Sequence, residues 1–166
     1  MKAALGVAAL ALAGCAQPAE LPADPAARLD PIGFFAGRSA GVASLDTIFA
    51  NPVRVSVTSA GRIDRRGALV LDQAIREGDK PERKRRWVMS RGPGGRFDGT
   101  LTDAEGPVEV KVAGPRATIR YRMKNGFGIE QHLAMQRDQR TLLNRLVVTR
   151  FGVRVARLDE TIRKLD

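Results

Sequence analysis

Ile119-Arg120-Tyr121-Arg122-Met123-Lys124-Asn125-Gly126 is the stretch whose reading decides the fold. Ile119, Tyr121 and Met123 alternate with three cations, and a period of two sends the two sets to opposite faces of a strand. Asn125-Gly126 follows as a tight-hairpin signal, with positive φ expected at both central residues of the turn. The same pattern recurs on either side. Val108, Val110 and Val112 alternate with Glu109 and Lys111, and Val53, Val55 and Val57 with Arg54, Ser56 and Thr58. Turn signals punctuate these runs at Ala60-Gly61, Arg66-Gly67, Gly92-Pro93-Gly94-Gly95, Glu105-Gly106-Pro107 and Gly114-Pro115.

The spacing predicts strands over 39–47, 52–60, 67–76, 84–91, 95–103, 107–113, 116–124, 127–137, 141–150 and 153–163. The last also carries helical spacing at Leu158, Ile162 and Leu165, so strand and helix compete there, with strand preferred. Residues 29–37 fit a short helix or turn plugging one end. The fold class is all-β: an antiparallel meander of about eight to ten strands, which closes into a barrel more readily than it leaves bare edges. A membrane-spanning barrel is disfavoured, because outward positions carry Arg, Lys and Glu that lipid would penalise.

The chain begins with Lys2 and an apolar or Gly run from Ala3 to Ala13, and then reads Gly14-Cys15. The run is shorter than the about 20 apolar residues of a spanning helix and has the anatomy of a secretory signal. Leu12-Ala13-Gly14-Cys15 resembles the bacterial lipobox, which implies cleavage before Cys15 and acylation of its sulfur and new amine. The expected division is a signal peptide over 1–14, lipidated Cys15 with a tether over 15–30, and the barrel over 31–166. Pro18, Pro22 and Pro25 make the tether an extended spacer. Ala16 stands where the inner-membrane retention signal would place Asp. That resemblance implies an anchor in the outer membrane facing the periplasm.

Composition excludes several chemistries. The single cysteine leaves no intramolecular disulfide and no cysteine nucleophile in the body, and one histidine leaves little for a histidine-rich metal site or a Ser-His-Asp site. No cofactor, no metal and no catalytic residue is expected. The net charge is +10, which favours encounters with anionic surfaces. In an envelope these are phospholipid headgroups, lipopolysaccharide phosphates and cell wall rather than nucleic acid. Arginine frequency of this kind also fits a GC-rich genome.

Phe34-Phe35-Ala36-Gly37, Arg86-Trp87, Arg96-Phe97-Asp98-Gly99-Thr100, Leu142-Leu143-Asn144-Arg145 and Phe151-Gly152-Val153 occur in that order. Together with the lipobox they resemble the proteobacterial lipoproteins grouped as domain of unknown function 3833, over roughly residues 31–163. Glu130-Gln131-His132 departs from that pattern, where an acidic pair followed by Trp is expected. The resemblance implies a lipocalin-like barrel in the envelope and supplies no reaction.

The densest charge run is Lys80-Pro81-Glu82-Arg83-Lys84-Arg85-Arg86. Lys80, Arg83, Lys84, Arg85 and Arg86 are candidates for contact with anionic headgroups; the competing reading is a solvated hairpin tip that prevents edge pairing. Trp87, Phe97 and Tyr121 are candidate wall residues of an apolar cavity, or else fillers of a solid core. Asn144 shares a strand face with Leu142, Leu146 and Val148, so it is the candidate buried amide that reads a ligand. Asp98 and Asp103 have opposite parity, which argues against a paired acid–base site. His132 shares a face with Glu130 and reads as a surface or rim pair. The expected function is binding or carriage of an apolar, lipid-derived ligand. A filled structural barrel is the alternative, followed by a lipid-modifying enzyme using Tyr121, His132 and Asn144.

Overall fold

Side chains that alternate in polarity along ten successive runs can all be satisfied if every run pairs with its neighbours and the last returns to the first. The computed structural model, which describes residues 20–166, has that arrangement. Helix α1 (Pro31–Phe35) precedes β1 (Gly37–Thr47), β2 (Val53–Ile63), β3 (Leu69–Glu77), β4 (Arg83–Arg91) and β5 (Arg96–Leu101). Then come β6 (Val108–Ala113), β7 (Arg116–Arg122), β8 (Gly128–Met135), β9 (Thr141–Arg150) and β10 (Val153–Lys164). Each strand pairs antiparallel with its sequence neighbours, and β1 pairs β10 from Ser39↔Lys164 to Thr47↔Ala156, closing the barrel. The C-terminal segment is therefore a strand, because its register with β1 is what removes the last two edges. Cys15 and the signal peptide expected over 1–14 lie outside the described residues.

The opening stretch behaves as its alternation requires. Ile119 and Tyr121 are buried, whereas Arg120 and Arg122 are exposed. The turn after it differs from expectation. Gly126 has φ 84 and its N–H donates to the Met123 carbonyl at 2.8 Å, while Asn125 is not at positive φ. Glycine alone absorbs the left-handed position, as in the longer hairpin loop that ends in a glycine bulge. Ala60-Gly61 is likewise no turn. Gly61 lies inside β2 facing inward, where a Cβ would overlap the Phe35 carbonyl oxygen; its missing side chain lets α1 approach the wall. The turn falls at 64–67 instead, where Asp64 accepts from the Arg66 and Ala68 N–H groups.

An up-and-down meander puts alternate connections at opposite ends. One end carries the first described residues, the C-terminus, α1 and four connections. The other carries five hairpin tips, β1–β2, β3–β4, β5–β6, β7–β8 and β9–β10. The first end is stoppered: Pro31, Ile32 and Phe34 of α1 are buried in it, and so are Leu21, Ala27 and Leu29. Residues 21–30 thus lie against the barrel, with Asp24 N–H bonded to the Met135 carbonyl and Leu29 N–H to that of Gly114. The main core runs from the plug, at Leu29, Ile32 and Phe34, through Leu69, Met135 and Leu142 to Val108, Tyr121 and Ile129. A second cluster of Ala43, Val55, Val57 and Ile75 lies on the β1–β2–β3 wall.

Candidate functional site

Between those two apolar clusters, several inward positions carry polar side chains. Leu71-Asp72-Gln73-Ala74-Ile75 puts Gln73 between two inward aliphatics; Arg85, Gln131, Asn144 and Glu160 occupy the same parity in β4, β8, β9 and β10. Pairing brings Ser59, Gln73 and Arg85 side by side on three strands. Gln73 Nε2 donates to Ser59 Oγ at 3.0 Å, and Gln73 Oε1 accepts from Arg85 Nε at 2.8 Å and Trp87 Nε1 at 2.9 Å. On the facing wall Asn144 Nδ2 donates to Glu160 Oε2 at 2.8 Å, and Gln131 Nε2 to Tyr121 Oη at 3.4 Å. Gly41 makes room for this wall, since a Cβ there would overlap the Glu160 carboxylate.

These groups enclose a cavity of about 50 Å³, with Gln73, Arg85, Gln131, Asn144 and Glu160 as its polar lining and Leu71, Trp87, Leu133 and Ile162 among its apolar lining. That volume holds a few water molecules at about 10–15 Å³ each. The hydrogen-bonding capacity of the belt is not used up. Asn144 Oδ1 and Ser39 Oγ are buried without a partner, and among the described residues no bond or ion pair is found to the terminal nitrogens of Arg85. Arg85 and Glu160 feel each other's charge without touching. Burial pushes the Glu160 carboxyl above its ordinary value against the opposing pull of Asn144 and Arg85. Burial also lowers Arg85 from its ordinary value, yet a guanidinium remains charged there. Burial raises Tyr121 as well.

Trp87 and Asn144 line the cavity. Tyr121 stands one residue behind it, edge-on to Trp87 at 5.8 Å and joined through Gln131. Phe97 is buried in the main core, with Arg91 over its ring at 5.6 Å, and does not reach the cavity. The basic run divides between two faces. Arg85 turns inward, away from the outer surface where headgroup contact was expected. Arg86 stays outside, held bidentate by Asp72 at 2.5 and 2.9 Å. Lys80 pairs with Glu77 at 2.5 Å and Arg83 with Asp103 at 3.3 Å, leaving Lys84 exposed. His132 contacts Glu130 at 2.9 Å on the outer face, so Tyr121, His132 and Asn144 do not form one site. Gln73, Arg85, Gln131 and Glu160 were the missed members. The signal was present for Gln73, Gln131 and Glu160, each a polar residue whose strand neighbours two away are both apolar; Arg85 has Trp87 on one side and Arg83 on the other, and the surrounding run of cations hid its parity. Among the described residues no group of three His, Cys, Asp or Glu side chains is placed to hold a metal ion.

A closed antiparallel meander stoppered by a short N-terminal helix defines a lipocalin-like barrel. The S-type phycobiliprotein lyase CPES from Guillardia theta is similar at a TM-score of 0.65, with 7% identity over 81% of this chain and 90% of that one. A protein of unknown function from the DUF3598 family of Nostoc punctiforme is similar at 0.62, with 15% identity over 84% of this chain and 50% of that one. Identities this low show the fold alone. Among the curated proteins none matches this chain. The chain belongs to the family described as protein of unknown function (DUF3833), whose model matches residues 9–164.

Proposed function

We propose that this protein is an envelope lipoprotein, held at the outer membrane by acylated Cys15, whose barrel binds a lipid-derived amphiphile with a carboxylate head. The observation that carries the reading is Arg85, a guanidinium inside the barrel with its terminal nitrogens unpartnered among the described residues. Arg85 is half-buried and its terminal nitrogens are open to a partner, so a ligand carboxylate bonded to the fork would add charge-assisted hydrogen bonds that no described side chain supplies. Asn144 Oδ1 on the facing wall is an unpartnered acceptor, so it suits a hydroxyl of the ligand or a water beside the head and not the carboxylate itself. The cavity of about 50 Å³ takes a headgroup and not an acyl chain, so binding requires the surrounding side chains to repack.

Extraction of the mature protein from membranes, followed by mass spectrometry of its lipids and titration with a long-chain fatty acid, tests this. Binding is expected, with Arg85→Gln weakening it by at least about tenfold, the worth of a charge-assisted hydrogen bond. No co-purifying lipid together with no fatty-acid binding overturns it. The second reading is a filled barrel that serves structure or assembly. It is favoured by the same small volume, which falls below the roughly 300 Å³ of ordinary ligand pockets, and the negative result would establish it.

A further inference from the structure

The hairpin end of the barrel carries a second feature, independent of the interior. Phe49 and Phe151 are 101% and 93% exposed, and Ile48 and Val153 beside them are 51% and 62% exposed. They occupy the β1–β2 and β9–β10 tips, which adjoin because β1 pairs β10; the Ile48 N–H donates to the Val155 carbonyl at 3.1 Å. Single exposed apolar residues are ordinary on any surface, but four on adjoining tips form a patch. Both phenylalanines also sit at positive φ, 68 for Phe49 and 51 for Phe151. Phe151-Gly152 is the two-residue loop between Arg150 and Val153, with positive φ at both positions, where Asn-Gly would be relaxed. A bulky ring in that conformation costs free energy, and exposure this high buries almost no apolar surface in return.

Charge identifies what the rings meet. The arc of tips β7–β8, β9–β10 and β1–β2 bears exposed Arg122, Lys124, Arg150, Arg154 and Arg54, none of them in an ion pair among the described residues. Arg150 lies 4.8 Å over Phe127 and 5.4 Å over Phe151. Asp46 is the acid in this arc. The opposite tips, β3–β4 and β5–β6, hold Glu77, Asp79, Glu82, Asp103 and Glu105, with Lys80, Arg76 and Arg83 engaged by their neighbours. Aromatic rings beside unpaired cations on one side of a rim match a lipid–water interface with anionic headgroups. We propose that this arc docks on an anionic lipid surface, with Phe49 and Phe151 inserted at headgroup depth and the unpaired arginines on the phosphates. The contact does not depend on whether the interior holds a ligand. The first described residues lie at the opposite, plugged end, so the two ends can be read separately.

The test uses the full chain with Cys15→Ala, which removes the sole cysteine, and an environment-sensitive fluorophore on Val153→Cys or, at the plugged end, on Arg137→Cys. Vesicles are phosphatidylcholine alone or with phosphatidylglycerol. A blue shift at position 153 with anionic vesicles only, weakened by salt, is expected. Phe49→Asn with Phe151→Asn should reduce affinity at least about tenfold while leaving Tm unchanged or higher, because asparagine relaxes both turns. Arg150→Gln and Arg154→Gln should each cost roughly fivefold. A shift at 137 equal to that at 153 or greater, binding indifferent to the double substitution, or no shift at 153 overturns the proposal. So does a shift at 153 that needs no vesicles and grows with protein concentration, which would assign the patch to a second copy of the chain.

Discussion

Glu160 illustrates how one buried side chain makes stability depend on pH. In the unfolded chain it ionises at the ordinary glutamate value, whereas in the barrel burial keeps its proton to higher pH. Between those two values the folded state holds more protons, so stability falls as pH rises through that window. Below it the group is protonated in both states and exerts no penalty. Glu160→Gln removes the penalty and keeps an amide that can accept from Asn144 Nδ2. The variant should melt about 2–4 °C higher than the parent at pH 7 and no higher at pH 4, the shift expected for each roughly 1 kcal/mol in a domain of this size. Thermal unfolding followed at both pH values checks this. An unchanged Tm at pH 7 would mean that Arg85 already offsets the buried charge.

Element by element, the strands are set by alternation, and the plug by its buried apolar residues together with one long side chain. Helix α1 has five residues, too short to stand by itself. Its end is fastened by Lys164 of β10, whose Nζ donates to the carbonyls of Gly33 at 3.2 Å and Phe34 at 2.9 Å and to that of Ala36. An ammonium has three donors and no acceptor, and here all three meet carbonyl groups that the helix leaves free. Lys164→Met should lower stability by about 1–3 kcal/mol, the worth of hydrogen bonds to a charged group. Amide exchange should locate the damage. Phe34 and Ala36, whose N–H groups bond to Asp30 and Ile32, should exchange faster, while Val110 and Ile119 in the β6–β7 ladder should not. Ten runs and a plug over 29–37 were legible in the sequence because a period of two and a proline start are local signals. The hairpin at Asn125-Gly126 was legible too, but its loop type and the passage of β2 through Gly61 were not, because loop length and the approach of Phe35 depend on packing.

At the scale of the whole molecule, stability rests on closure. β10 pairs with β9 along ten residue positions of register and with β1 along nine, so its removal exposes two edges and the core at once. A chain ending at Gly152 should lose its cooperative thermal transition and elute as aggregate in size-exclusion chromatography. A monomeric, cooperatively melting product would show that the nine remaining strands reclose. The same closure arranges the two features argued above. It sets Arg85 of β4 across the interior from Glu160 of β10, and it places the Phe49 and Phe151 tips next to each other.

Alternation along the chain determined which side chains face inward, and that included Gln73, Gln131, Asn144 and Glu160, whose parity is plain beside Leu71, Leu133, Leu142 and Ile162; Arg85, inside a run of cations, shares its parity with Trp87 alone. It determined as well that the cations of β7 face outward, whereas the last run, which also carries helical spacing, became a strand only through its pairing with β1 and β9. Parity is a property of two neighbouring residues and needs no knowledge of the rest of the molecule. Distance across a barrel is not such a property: it follows from the number of strands, their stagger and the volume of everything between them. Only the tertiary structure therefore decided that the inward polar residues share one small cavity, that its volume is about 50 Å³, and that Arg85 and Glu160 face each other without touching.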